Sequence, residues 1–285
     1  MTSGEEPTLL KPGDTAWWFE EDGSNYHLFS VEKVFGMSRS IVELFARVSA
    51  FLNRYRRRSP SLSVIHGHPT PSNTRSTSPD ISLALIREDP PPPTSPLAPL
   101  HAEASALFGE IENWRDYRTP AIHPRVEHGS EAHRCALLVL MMREAFNLPA
   151  HDRRVQQCAE LTMNACYMAS ANFSMSVEWV VISFMPFTPD WGWFSLTWPV
   201  IIAGCQAFGP LRASVVSALE GFRWVKYYSY LFTSSDRRPF SKQCCFEIDT
   251  SEQIVTEVWR RMDSGHPRPD FRSVIADLNL RVLIL

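Results

Sequence analysis

The apolar residues of this chain recur at three- and four-residue intervals in one stretch after another, and that periodicity restricts the fold to packed helices. Ile41, Phe45, Val48, Leu52 and Tyr55 share one face of a helix, with Ser40 and Glu43 at capping-box spacing near its start. Arg54, Arg56, Arg57 and Arg58 crowd its end, where positive charge suits the helix dipole. The same spacing returns at Ala104, Leu107, Phe108, Ile111 and Trp114, and again at Ala132, Cys135, Ala136, Val139 and Phe146. Pro149 ends that stripe, and Asp152 is placed to cap a helix through Val155, Cys158, Ala159, Thr162 and Cys166. The short link from Asn147 to Ala150 predicts an antiparallel pair. A further helix is expected to begin at Trp198-Pro199, with proline at a permitted early position. Gly209-Pro210 separates it from one carrying Leu211, Val215, Leu219 and Phe222. Thr250 and Gln253 form a second capping box before Ile254, Val255, Val258, Trp259 and Met262, a stripe closed by Gly265, Pro267 and Pro269. Asp270 then caps a last helix with Phe271, Val274, Ile275 and Leu278. No alternating strand pattern stands out. The expected class is all-α, built of packed antiparallel helical hairpins.

One segment cannot follow this pattern. Ten of the 22 prolines fall within residues 59–99, including Pro90 to Pro93, among many serines. Proline lacks the donor a helix needs, so this stretch reads as a long Pro/Ser-rich disordered or extended linker. The expected organisation is therefore a flexible lead over residues 1–30 with one aromatic patch at Trp17-Trp18-Phe19, a first helical element over 31–58, the linker over 59–99, and a main helical domain over 100–285. Residues 233–249 read as loop.

Composition narrows the functional classes. A hydrophobic content of 44% in 285 residues is enough for a sizeable core. With 28 basic against 31 acidic residues the net charge is −3, so the bulk positive charge usual in a free nucleic-acid binder is missing. The opening residues are acidic and polar and carry no apolar secretory run. The six cysteines, Cys135, Cys158, Cys166, Cys205, Cys244 and Cys245, mostly stand singly in apolar surroundings and are expected to be small buried thiols. Between Ser174 and Phe208 the only charges are Glu178 and Asp190, but Pro186, Pro189 and Pro199 interrupt the run. A membrane span is not expected there.

Candidate chemistry is thin. His66 and His68 lie in the linker, away from any rigid frame for a metal. His128 and His133 flank Glu131 but stand five apart, not four, so the H-E-x-x-H geometry is missing. Cys244 and Cys245 are adjacent and lack the C-x-x-C spacing of a zinc clip. Gly36-Met37-Ser38-Arg39-Ser40 fails the G-x-S-x-G elbow at its last position, and Ser38 or Ser40 is better read as a helix cap. No P-loop or dinucleotide fingerprint appears. Arg153, Arg154, Arg223 and Lys226 read as solvated helix faces. Trp191, Trp193, Phe194 and Trp198 read as core, or as the wall of a pocket. No catalytic, cofactor or metal residue is expected.

At Leu196 to Ala207 the stretch L-T-W-P-V-I-I-A-G-C-Q-A resembles the W-P-x-x-I-A-G-C-E-A signature of the fungal-specific transcription factor domain. This is the large helical domain found downstream of six-cysteine binuclear zinc clusters. Three other blocks resemble the same family in the same order. They are Phe35 to Ser40, with Gly36, Ser38 and Arg39; Leu148-Pro149-Ala150 through Ala165-Cys166; and Val258-Trp259-Arg260-Arg261 followed by Asp270-Phe271-Arg272. In physical terms the signature reads as packing. Pro199 starts a helix, Ala203 and Gly204 permit close approach of a neighbour, and Cys205 fills a small apolar site. Residues 171–195 and 233–249 look less family-like than their surroundings.

The resemblance implies a role, not a reaction: a non-catalytic regulatory domain in the nucleus, answering to transcriptional co-regulators or a small effector. Residues 1–30 contain no cysteine, so the family's zinc cluster is not among them. The chain alone is then expected not to bind a specific DNA site. The alternative is a diverged, free-standing helical interaction protein with no DNA-linked role.

Overall fold

The computed structural model describes residues 36–58, 98–115, 124–174, 191–233, 246–266 and 269–280. Among them are eight helices and no strand, so the chain is all-α. In order they are α1 (Arg39–Arg58), α2 (Ala98–Asn113), α3 (Pro124–Glu144), α4 (Arg153–Ser174), α5 (Trp191–Gly204), α6 (Pro210–Thr233), α7 (Phe246–Asp263) and α8 (Phe271–Asp277). The flexible lead, almost all of the Pro/Ser-rich linker, His66, His68, Cys244, Cys245, Pro267 and the side chains of Trp191, Trp193, Phe194 and Lys226 lie outside the described residues.

The α3–α4 hairpin is the centre of the fold. From Cys135 to Met142 every residue of α3 is buried, which no surface helix could be. Pro124 opens it at the position where a missing N–H costs nothing. Past Glu144 the chain reverses through Asn147, which takes the left-handed φ of 57°, and the Leu148 N–H returns to the Met142 carbonyl at 2.9 Å. Asp152 then caps α4: its Oδ1 accepts the Arg154 N–H at 2.8 Å and the Arg154 Nε at 3.1 Å.

These bonds to Arg154 hold the Asp152 carboxyl below its ordinary range. A depressed folded-state value stabilises above the unfolded value, and that stabilisation disappears as pH falls through the folded one. Asp152→Ala is therefore expected to cost about 1 kcal/mol near neutral pH. The gap between variant and parent in thermal melts should narrow as pH falls through and below the ordinary carboxylate range. A gap that stays constant throughout that fall would count against the cap.

Helix α1 lies on α2 and α3. Ile41, Val48, Leu52 and Tyr55 of the expected stripe are buried and Phe45 partly so, but the core face is wider than the stripe and takes in Leu44 and Phe51 as well. The reason is that α1 is covered from two sides. Its basic end is tied down as well as solvated. Arg47 pairs with Glu110 and Arg54 with Glu103, both on α2, while Arg56 pairs with Glu144 at the end of α3. Glu144 also takes Arg272 at 2.6 Å, so one carboxylate joins α1, α3 and α8.

Three expected helix starts move. Helix α1 begins at Arg39, which leaves Ser38, one of the two expected caps, directly before the helix and puts Ser40, the other, inside it. Helix α7 begins at Phe246, so Thr250 lies in its second turn and residues 246–249 are helix, not loop. Helix α5 begins at Trp191, which places Pro199 in its interior. In each case the local cap signal lay within a longer helix, because packing supplied what propensity did not. The far ends follow local rules more closely. Helix α7 closes with Gly265 at φ 78°, its N–H on the Met262 carbonyl at 3.0 Å and the His266 N–H on the Arg261 carbonyl at 2.9 Å. Asp270 caps α8, accepting the Arg272 N–H.

Candidate functional site

Helix α5 packs against α3, α4, α6 and α7, and the W-P-x-x-I-A-G-C block lies along it. Its two ends hold different parts of the molecule. At the first, Trp198 is 5% exposed. Its ring meets Phe45 of α1 edge-on at 4.6 Å and 73°, and stacks on His133 of α3 at 5.9 Å and 8°. His133 is itself buried, with Nδ1 on the Gly129 carbonyl at 2.7 Å. One turn away, the Ser38 N–H donates to Ser130 Oγ at 2.8 Å, and Ser38 Oγ lies 3.1 Å from Ser40 Oγ. Gly36, at φ 64°, brings its carbonyl directly onto Gly129. The early G-x-S-R-S segment and the W-P segment thus meet across α3.

At the second end, the Gly204 carbonyl accepts the Trp259 indole N–H at 2.8 Å. A Cβ on Gly204 would lie 3.0 Å from Val215 Cγ1 and 3.3 Å from Val255 Cγ2, so α6 and α7 both close on this backbone. Ala203 and Cys205 fill the space on either side, at 0% and 2% exposure. Arg212 spans the seam. Its guanidinium lies over the Trp259 ring at 5.1 Å and forks onto Asp263 with both contacts at 2.8 Å, while its Nε donates to the Ala207 carbonyl.

Of the other motif residues, Pro199 is buried within α5 and Asp270 sits at the head of α8. Arg260 points outward and pairs with Glu257 at 2.6 Å. Its neighbour Arg261 points inward, reaching both Glu257 and Asp277 at 2.8 Å. These two arginines hold the Glu257 carboxyl down to about 2. Arg39 is half-buried at the head of α1.

Electrostatic groups elsewhere serve the packing. Arg134 donates to the last carbonyls of α2, on Ile111 and Glu112, and forks onto Glu131 at 2.6 and 2.8 Å. Glu131 is therefore engaged by Arg134 while His133 stacks on Trp198, so these two side chains face separate partners. Arg223 reaches Asp249 and Glu252 of α7, and joins α6 to it. The four described cysteines are buried and free. Burial pushes the thiols up, to about 11 for Cys158 and further for Cys135, Cys166 and Cys205, so they stay protonated and act as small apolar fillers.

Sequence reasoning missed Gly129, Ser130 and Arg212, and weighed His133 only as a metal ligand, not as the partner of Trp198. Gly129 and Ser130 precede the recognisable stripe of α3, and nothing local marks a glycine there as a contact point. A concave surface opens between α4 and α6, with a volume of about 920 Å3. Among the described residues, no helix is long and apolar enough to cross a membrane.

No curated protein and no solved structure matches this chain. The family model described as the fungal specific transcription factor domain matches residues 1–285, and the chain belongs to that family.

Proposed function

We propose that this chain is the regulatory domain of a fungal transcription factor, acting in the nucleus through an effector or co-regulator and carrying out no chemistry of its own. The observation that supports this most is how the family motifs are used. Trp198, Ala203, Gly204 and Trp259 are spent on joining helices: Trp198 meets Phe45 and His133, and the Trp259 indole N–H is taken by the Gly204 carbonyl. Such a frame can hold two packings in balance, as a ligand-responsive domain requires. Sequence reading of DNA is assigned to another element. The strongest basic cluster, at the end of α1, has Arg54 and Arg56 engaged by Glu103 and Glu144, and so offers few free cations to phosphates.

The test is a fusion of residues 1–285 to a heterologous DNA-binding domain in a fungal reporter strain. Reporter output should differ from that of the DNA-binding domain alone and should change with growth condition. The purified chain should show no sequence-selective DNA binding at near-physiological salt with competitor DNA. A fusion indistinguishable from the DNA-binding domain alone under every condition would count against the regulatory role. Selective DNA binding by the chain itself would count against the assignment of DNA reading elsewhere.

A further inference from the structure

The groove between α4 and α6 is unlike the rest of the described surface. Of the four large apolar side chains exposed among the described residues, Leu161, Tyr167, Met168 and Phe208, two line this groove, Tyr167 from α4 and Phe208 from just before α6. Tyr167 is 72% exposed, far more than a core-forming aromatic would be. The groove floor is apolar, with Met163 and Cys166 on one wall and Leu211 and Phe222 on the other. Its volume of about 920 Å3 lies within the range of small-molecule sites, roughly 300–1,000 Å3.

Charge selects the ligand. Glu160 is the one charged side chain among the described residues lining the groove, and no cation among them pairs with it. Asn164, one turn further along α4, and Ser214 and Ser217 on the facing wall supply neutral hydrogen-bonding groups. An apolar trough with one unpaired carboxylate favours a molecule with a hydrocarbon body and one positive end. Glu160 is exposed at the edge of the groove, so an ammonium gains a solvent-screened ion pair there, a fatty-acid anion of the same length meets a comparable repulsion, and an alcohol meets neither.

We infer that this groove binds a small lipophilic amine, its apolar body between α4 and α6 and its ammonium at Glu160. This deepens the regulatory reading and rests on it for biological meaning. The binding itself is measured on the purified chain and does not depend on any reporter.

The experiment is calorimetric titration of the full chain with octylamine, octanol and octanoate, which share one hydrocarbon body. Octylamine should bind saturably at one site, about fivefold or more tighter than octanoate. Glu160→Gln should weaken octylamine about fivefold and leave octanol unchanged. Glu160→Lys should reverse the order, so that octanoate binds best. Ser217→Trp, at an exposed position on the groove wall, should block all three. Glu220→Gln, an exposed carboxylate on the same helix but outside the groove lining, should change nothing. Absence of saturable octylamine binding overturns the proposal. So does octylamine binding that survives Ser217→Trp, or that is indifferent to Glu160→Lys.

Discussion

Gly129→Ala is expected to lower the melting temperature of this domain by about 10 °C, equivalent to about 3 kcal/mol. The added Cβ would stand 1.8 Å from the Gly36 carbonyl oxygen and 3.0 Å from its carbon. Both are backbone atoms, so no side chain can swing aside to make room. Gly36 cannot retreat freely either. Its left-handed φ of 64° sets the entry to α1, and Arg125 Nε would lie only 3.3 Å from a Cβ on its other side. Moving this turn breaks the bond from the Ser38 N–H to Ser130 Oγ and lifts the head of α1, whose Ile41, Val48 and Phe51 are fully buried. Overpacking a tight core typically costs about 1–3 kcal/mol, and a backbone collision belongs at the upper end. Gly109→Ala is the control. Its Cβ would meet nothing within 4 Å, and alanine in a helix interior is better than glycine by up to about 1 kcal/mol. Thermal melts by circular dichroism should move in opposite directions for the two variants. Equal melts for Gly129→Ala and the parent would remove the close contact from the account.

The helices themselves were legible because their apolar stripes are long and regular. Val155, Cys158, Ala159, Thr162 and Cys166 are buried on α4, and Ile254, Val255, Val258 and Trp259 on α7, at the spacing a single helical face demands. What periodicity could not supply was the start of a helix whose first turns lack a clear signal. Trp198-Pro199 looked like an opening, yet α5 already runs from Trp191, and a proline that suits a first turn stands in its interior. The stripe of α1 found Ile41, Val48, Leu52 and Tyr55 but not Leu44 and Phe51, which are buried too because α2 and α3 cover the helix from two directions. Among site residues, Trp198, Gly204 and Trp259 stood out through their motif blocks. Gly129 and His133 did not, because what matters at each is a partner 93 and 65 residues away in the chain, Gly36 and Trp198 respectively. Arg260 and Arg261 are adjacent and chemically identical, and only the phase of α7 decides that one faces water and the other reaches Asp277.

Trp198→Ala should cost about 3–5 kcal/mol, the usual range for an aromatic removed from a packed core. Three elements lose contact at once: α1 through Phe45, α3 through the stacked His133, and α5, which carries the tryptophan. The site has little means to collapse, since Phe45 is held on a helix anchored by Arg47 and Arg54, and His133 is tethered by its Nδ1 to Gly129. A cavity left between such fixed walls carries the full penalty. The edge-on pair with Phe45 contributes beyond its buried area, so the double variant Phe45→Ala/Trp198→Ala should be less destabilised than the sum of the two single ones, by about 0.5–1.5 kcal/mol. Trp259→Ala removes an indole from the opposite end of α5, where it meets Gly204 and Arg212. It should show no such coupling to Phe45→Ala, because the two sites share no side chain. Urea unfolding followed by circular dichroism, with the slope checked for constancy, measures each term. Additive losses for Phe45 and Trp198 would sever the join between the first helix and the W-P block. Coupling as strong between Phe45 and Trp259 would mean that α5 transmits strain along its whole length instead of holding two separate seams.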